Sequence, residues 1–303
     1  MDQLSQYLLQ HYNSYLTGYQ DCNMLLWGLP QQEYSVPKFM SMVVGFNYDP
    51  NKFDVNQSKR LINYFYNTNE KFRKIINYGK AITEKSRLPF IVLLYPSLDK
   101  FRKVQWEKSE EKYAFKDVSF GIYEINSQSI QLDVMRGSSL REKLCELIGS
   151  ENIRVQGTSK AKNKSIADYF QYWSRAYMPS SLTKIDIDGG FFDNGTNQIF
   201  VEIKRSNVPP IPEWRPYTRD KANFRLQYDF CRETDMACWI LHHDGLSSNY
   251  DDNTIISFFD VERWNDNPRN PADFFIYKQM VPELLLGGEN SLDSIIRNEY
   301  HMR

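Results

Sequence analysis

Asp188, Glu202 and Lys204 are the side chains whose types and spacing suit a reaction. Asp188 lies 14 residues before Glu202, and Lys204 follows in the run Ile199-Phe200-Val201-Glu202-Ile203-Lys204-Arg205. Alternate residues of a β-strand point the same way, so Glu202 and Lys204 share a face while Val201 and Ile203 turn to an apolar core. A hairpin with Lys184-Ile185-Asp186-Ile187-Asp188-Gly189-Gly190 brings Asp188 near Glu202. Two carboxylates can hold a hard divalent cation such as Mg2+ through oxygen, and a lysine beside them can orient or help deprotonate a water. That set suits metal-assisted hydrolysis of a phosphodiester, an anion that repels nucleophiles until a cation neutralises it. In one continuous strand Asp186 points to the same face as Asp188 and competes with it as the ligand. The bend allowed by Gly189-Gly190 favours Asp188, leaving Asp186 as a supporting or second-metal group. Glu-x-Lys alone also arises by chance on a half-exposed strand, so a solvated surface hairpin is the bland alternative.

The elements around these residues must position them. Ser165 can cap a helix to about Ala176, with Ile166, Tyr169, Phe170 and Trp173 inward. The two acidic strands follow, and Pro209, Pro210, Pro212 and Pro216 mark a loop. A helix over 217–234 then leads into the apolar strand 236–241. Arg219, Asn223 and Gln227 are spaced i, i+4, i+8 and fall on one face of that helix. Lys204 to Arg225 holds six basic residues against two acids, a local excess that includes Arg205 and Arg219 and can hold a phosphate backbone. Lys160, Lys162 and Lys164 form a second basic stretch, in a small, polar loop.

Upstream, a helical stripe covers 2–19 and a strand 38–48, followed by a long helix over 57–84. Strands at 89–95, 118–125 and 129–135 precede a helix from Ser139 to Ile148. Gly149-Ser150 marks a boundary between an N-terminal α/β domain, 1–150, for recognition or dimerisation, and a domain of 151–303. The last 50 residues give no chemical signal beyond a short terminal helix at 292–296, and no internal repeat is evident.

Composition narrows the function classes. A formal net charge of −1 excludes a global basic field, so any nucleic-acid contact is local. Four scattered cysteines without a CxxC pair argue against a disulfide framework or a zinc site. The N-terminus lacks a signal-peptide pattern, and the apolar run 90–95 is too short to span a bilayer. A cytoplasmic location without membrane contact is therefore expected. No Walker A or GxGxxG motif is present, so no nucleotide cofactor is expected. His242-His243 stands without HExxH, and there is no Gly-x-Ser-x-Gly.

The order helix, acidic strand, Glu-x-Lys strand, helix, strand over 165–241 resembles the PD-(D/E)XK nuclease superfamily. Asp188 matches the family's Asp, and Glu202-Ile203-Lys204 matches its (Asp/Glu)-x-Lys; Ile187 stands where the name-giving Pro would be. For a chain of this length without ATPase motifs, the likeness is greatest to a type II restriction endonuclease. The resemblance implies an α/β fold with a restriction-endonuclease-like core, a mixed sheet flanked by helices, behind the additional N-terminal domain. It implies Mg2+, with Mn2+ as a substitute, held by Asp188, Glu202 and the Ile203 carbonyl, with Asp186 as a supporting or second-metal group. Lys204 then orients the attacking water, Gln227 and its helix neighbours contact phosphate or water, and a homodimer cuts double-stranded DNA.

Overall fold

The computed structural model describes residues 2–17, 22–28, 40–49, 52, 58–86, 88–96, 119–125, 130–147, 182–192, 198–206, 214–245 and 250–299. The chain is mixed α/β, with two six-stranded mixed sheets flanked by helices. Contacts divide it into two compact units. The downstream unit joins the residues up to Thr17 to Asp186 and all that follows; the upstream unit takes the described residues from Cys22 to Ile185. The first residues of the chain thus belong with the downstream unit, a departure from the expected 1–150 domain. The expected boundary at 150/151, the strand 153–156 and the helix 165–176 lie outside the described residues.

The upstream sheet has the order β6-β5-β4-β3-β2-β7. Its strands are β2 (Cys22–Gly28), β3 (Met40–Tyr48), β4 (Phe90–Pro96), β5 (Ser119–Ile125), β6 (Ile130–Arg136) and β7 (Thr183–Asp186). Only β3 and β4 run parallel among the pairs β2/β3, β3/β4, β4/β5 and β5/β6. A parallel pair needs a crossover, here α2 (Ser58–Thr68) and α3 (Glu70–Ser86). The single helix expected at 57–84 is broken at Asn69, whose side chain accepts the Phe72 N–H at 2.9 Å and restarts the helix. Phe72 of α3 packs on Phe46, and Tyr78 on Phe90. On the other face, Leu140 and Leu144 of α4 (Gly137–Leu147) join Val43, Ile91, Leu93 and Ile122 in one core.

The downstream sheet has the order β1-β8-β9-β10-β11-β12. Its strands are β1 (Tyr15–Thr17), β8 (Gly189–Phe192), β9 (Gln198–Arg205), β10 (Ala237–His243), β11 (Ile255–Trp264) and β12 (Phe275–Leu285). Here β9 and β10 are the parallel pair, crossed by α5 (Lys221–Thr234). The helical stripe expected over 2–19 stops at His11, the end of α1 (Gln3–His11), because Tyr15–Thr17 pairs with β8. α1 and α6 (Leu292–Glu299) bury Leu4, Leu8, Leu292 and Ile296 against Val201, Trp239 and Phe258. The run 184–192 is two strands in different sheets, so Asp186 and Asp188 do not share one strand face. No helix among the described residues is long and apolar enough to cross a membrane.

Candidate active site

The β8/β9 hairpin sets the first distance. Gly189 pairs with Val201 and Gly190 with Phe200, a register that continues to Asp188 opposite Glu202. Asp188 sits just beyond the end of β8, and its Oδ2 accepts the Ile203 N–H at 2.8 Å. In an extended strand the N–H and C=O of one residue point to the same edge. The Ile203 carbonyl therefore also points toward Asp188. Gly189 and Gly190 serve close packing rather than a bend: both lie within β8, and a methyl group on Gly189 would stand 2.7 Å from the Leu16 carbonyl oxygen. From β1, Thr17 Oγ1 donates to the Asp188 carbonyl at 2.7 Å and fixes the turn from the other side.

Glu202 and Lys204 do share a face, the one covered by α5. Phe230 packs on Phe200, the buried Gln227 amide donates to Glu202 Oε2, and Lys204 Nζ lies 5.1 Å from the Phe224 ring centre. Lys204 Nζ stands 2.5 Å from Glu202 Oε1, with Glu202 only 6 % exposed. Residues 224, 227 and 230 sit one helical turn apart, so α5 places one side chain above each of the three alternate β9 positions.

Burial, and next the Glu202 charge, hold the Asp188 carboxyl well above the usual carboxylate range; the Ile203 N–H and Lys204 pull the other way. Burial works against the Lys204 ammonium, but attraction to Glu202 outweighs it and keeps Lys204 above its ordinary value. Two carboxylates thus face one protonated ammonium in a half-buried site. Ionising Asp188 would leave one negative charge over, which adds to the cost that burial already sets.

This donor set fits Mg2+. It is all oxygen: the Asp188 carboxylate, Glu202 and the Ile203 carbonyl. Among the described residues no group of three or more His, Cys, Asp or Glu side chains gathers as a metal cage. Mg2+ does not need one, since it keeps several waters and binds through one or two carboxylates plus substrate phosphate. Asp186 is exposed at the end of β7 and reaches Asp188 only as a minor repulsion.

Of the three helix residues expected on one face, only Gln227 joins the site, and it holds Glu202. Asn223 is exposed, and Arg219 belongs to a 3-10 turn before α5 with its guanidinium over the Tyr217 ring at 4.9 Å. Arg205 is exposed at the end of β9, its side chain lying across Gly245. Lys160 and Lys162 lie outside the described residues. Of the local basic excess, Arg225 is paired with Asp229 at 2.9 Å and Asp266 at 3.2 Å.

Sequence reasoning missed Thr17, Phe224 and a buried group beside Lys204. His242 pairs with Lys204 across β9/β10. Its ring stacks on Trp214 at 4.4 Å and its Nε2 lies 2.7 Å from Ser206 Oγ. The only sequence signal for this group was a polar His ending an apolar strand. Comparison of the chain with protein-family models, with curated proteins and with solved structures finds no match.

Proposed function

We propose that this chain is a Mg2+-dependent endonuclease that hydrolyses DNA phosphodiester bonds. The finer reading is a restriction-endonuclease-like core with the action of a sequence-specific type II restriction enzyme on double-stranded DNA. One observation carries the proposal: the Asp188 carboxyl, Glu202 and the Ile203 backbone gather oxygen donors where β8 pairs with β9, with Lys204 on Glu202. The order β8-β9-α5-β10 around that point supports it, since the resemblance rests on that arrangement.

When bound, Mg2+ supplies charge neutralisation at the phosphate and a lower pKa for water. Asp188, Glu202 and the Ile203 carbonyl would hold it, with Mn2+ as a substitute. Gln227 and Lys204 occupy both oxygens of Glu202 and fix the plane of its carboxylate. Lys204 stays protonated, so its role is to orient the attacking water and offset charge on the scissile phosphate, not to act as a base.

The test is incubation of supercoiled plasmid with Mg2+ or Mn2+ against EDTA. Metal-dependent cutting is expected, and Lys204→Ala should slow it about a hundredfold or more while DNA binding in Ca2+ is kept. Undiminished cutting by Lys204→Ala overturns the role of Lys204. Failure of the wild-type chain to cut under either metal, with binding retained, points instead to an inactive binding module on this fold.

A further inference from the structure

The two units repeat one topology. Upstream, β2 pairs antiparallel with β3, β3 runs parallel to β4 after a helical crossover, and β5 and β6 follow antiparallel before α4. Downstream, β8 pairs antiparallel with β9, β9 runs parallel to β10 after α5, and β11 and β12 follow antiparallel before α6. Strand order, the sense of these four successive pairs and the place of the crossover coincide. The faces coincide too. The crossover helix covers Phe46 and Phe90 upstream as α5 covers Phe200, Glu202 and Lys204 downstream. The closing helix joins the core on the opposite face in both.

The chemistry does not repeat. On the crossover-helix face of β3, Met42, Val44 and Phe46 are each 1 % exposed or less, Tyr48 is buried as well, and Met24 of β2 stands opposite Val44. β3 contains no acidic residue or lysine, so nothing on it matches Glu202 or Lys204. Without a carboxylate or a lysine, β3 lacks the groups by which Glu202 and Lys204 would hold a cation and orient water. It can be tightly packed under its helix, which Glu202 and Lys204 cannot be without partners.

We propose that the chain is an internally duplicated nuclease fold whose first copy is catalytically silent, so that one chain makes one cut and its product is a nick. The proposal rests on the nuclease reading of the downstream site. A second fold of the same kind is already in the chain, and its β3 brings no counterpart of Glu202 or Lys204. Hydrolysis adds one water across one P–O bond, leaving a phosphate and a hydroxyl on a single strand.

The experiment follows supercoiled plasmid with Mg2+ at enzyme excess, with sedimentation velocity on the free chain and with wild-type chain diluted into Lys204→Ala. Nicked circles should accumulate ahead of linear DNA, the free chain should sediment as a 35.9 kDa monomer, and the rate per wild-type chain should be unchanged by the inactive variant. Linear product without a nicked intermediate, or a rate per wild-type chain that falls on mixing, overturns the one-cut proposal and leaves the nuclease reading standing. Absence of any cutting by the wild-type chain, with either Mg2+ or Mn2+, overturns both.

Discussion

Asp188 takes on a charge against burial first and against the Glu202 charge beside it second. Its folded pKa is raised, chiefly by burial and then by Glu202, so the native state binds this proton more tightly than the unfolded chain does. The sign follows from linkage: stability of the metal-free protein is retained at low pH and falls as pH rises through the elevated pKa. Asp188→Asn removes the charge while its amide oxygen still accepts the Ile203 N–H. The variant should therefore melt higher than the wild-type chain at pH 8 in EDTA, by about 2–4 °C for each kcal/mol regained. Mg2+ should raise the melting temperature of the wild-type chain and leave that of Asp188→Asn unmoved, because the ion stabilises only the state that binds it. Equal Mg2+ shifts in both proteins would remove Asp188 from the ligand set.

At the scale of elements, β9 and β10 carry the site because their alternate residues face different layers. Ile199 and Val201 enter the apolar core with α1 and α6, while Phe200, Glu202 and Lys204 meet α5. On β10 the same alternation sends His242 to the α5 side, where Trp214 covers it. Burial depresses the His242 pKa from 6.5 to about 4, with His243 adding repulsion and Asp244 opposing it. A depressed histidine contributes stability that is whole above about pH 6.5 and is lost as pH falls through about 4. The full loss is on the order of 3 kcal/mol. Urea midpoints measured between pH 7 and pH 4 should fall steeply for the wild-type chain. His242→Gln, which keeps a partner for Ser206, should flatten that profile; an unaltered slope would place the acid sensitivity elsewhere.

At the scale of the molecule, the chain's first residues complete a unit whose remainder starts at Asp186. Tyr7 donates to Asp252 at 2.8 Å, Tyr12 donates to Asp293 at 2.7 Å, and Asp2 lies 3.1 Å from His243 while capping α1. β1 also closes the sheet edge at β8 and supplies Thr17 to the Asp188 turn. A fragment of residues 151–303 loses all of this and bares the Phe191 face. Each large apolar side chain withdrawn or exposed costs about 1.5–3 kcal/mol, and a whole domain is stable by only about 5–15 kcal/mol. The fragment should show no cooperative melt by circular dichroism, whereas the full chain should. A sharp melting transition in the fragment would make α1 and β1 dispensable.

The chemistry on offer and the local elements were legible in the residues alone: Glu202 and Lys204 on one face, the β8/β9 hairpin, the helix before β10, and the strands at 90–96 and 119–125. Those follow from period-2 and period-3.6 patterning, which short segments express alone. Sequence reasoning misjudged where the helix from residue 2 ends, since only pairing with β8 turns Tyr15–Thr17 into a strand. The split of 184–192 between two sheets, the capture of Gln227 by Glu202, and the attachment of α1 to the downstream unit were decided only by tertiary structure. The repeated topology was equally hidden, because strands buried on both faces accept almost any apolar residue and need keep no common sequence. Contacts between distant residues depend on which buried surfaces fit together, and no local pattern records that.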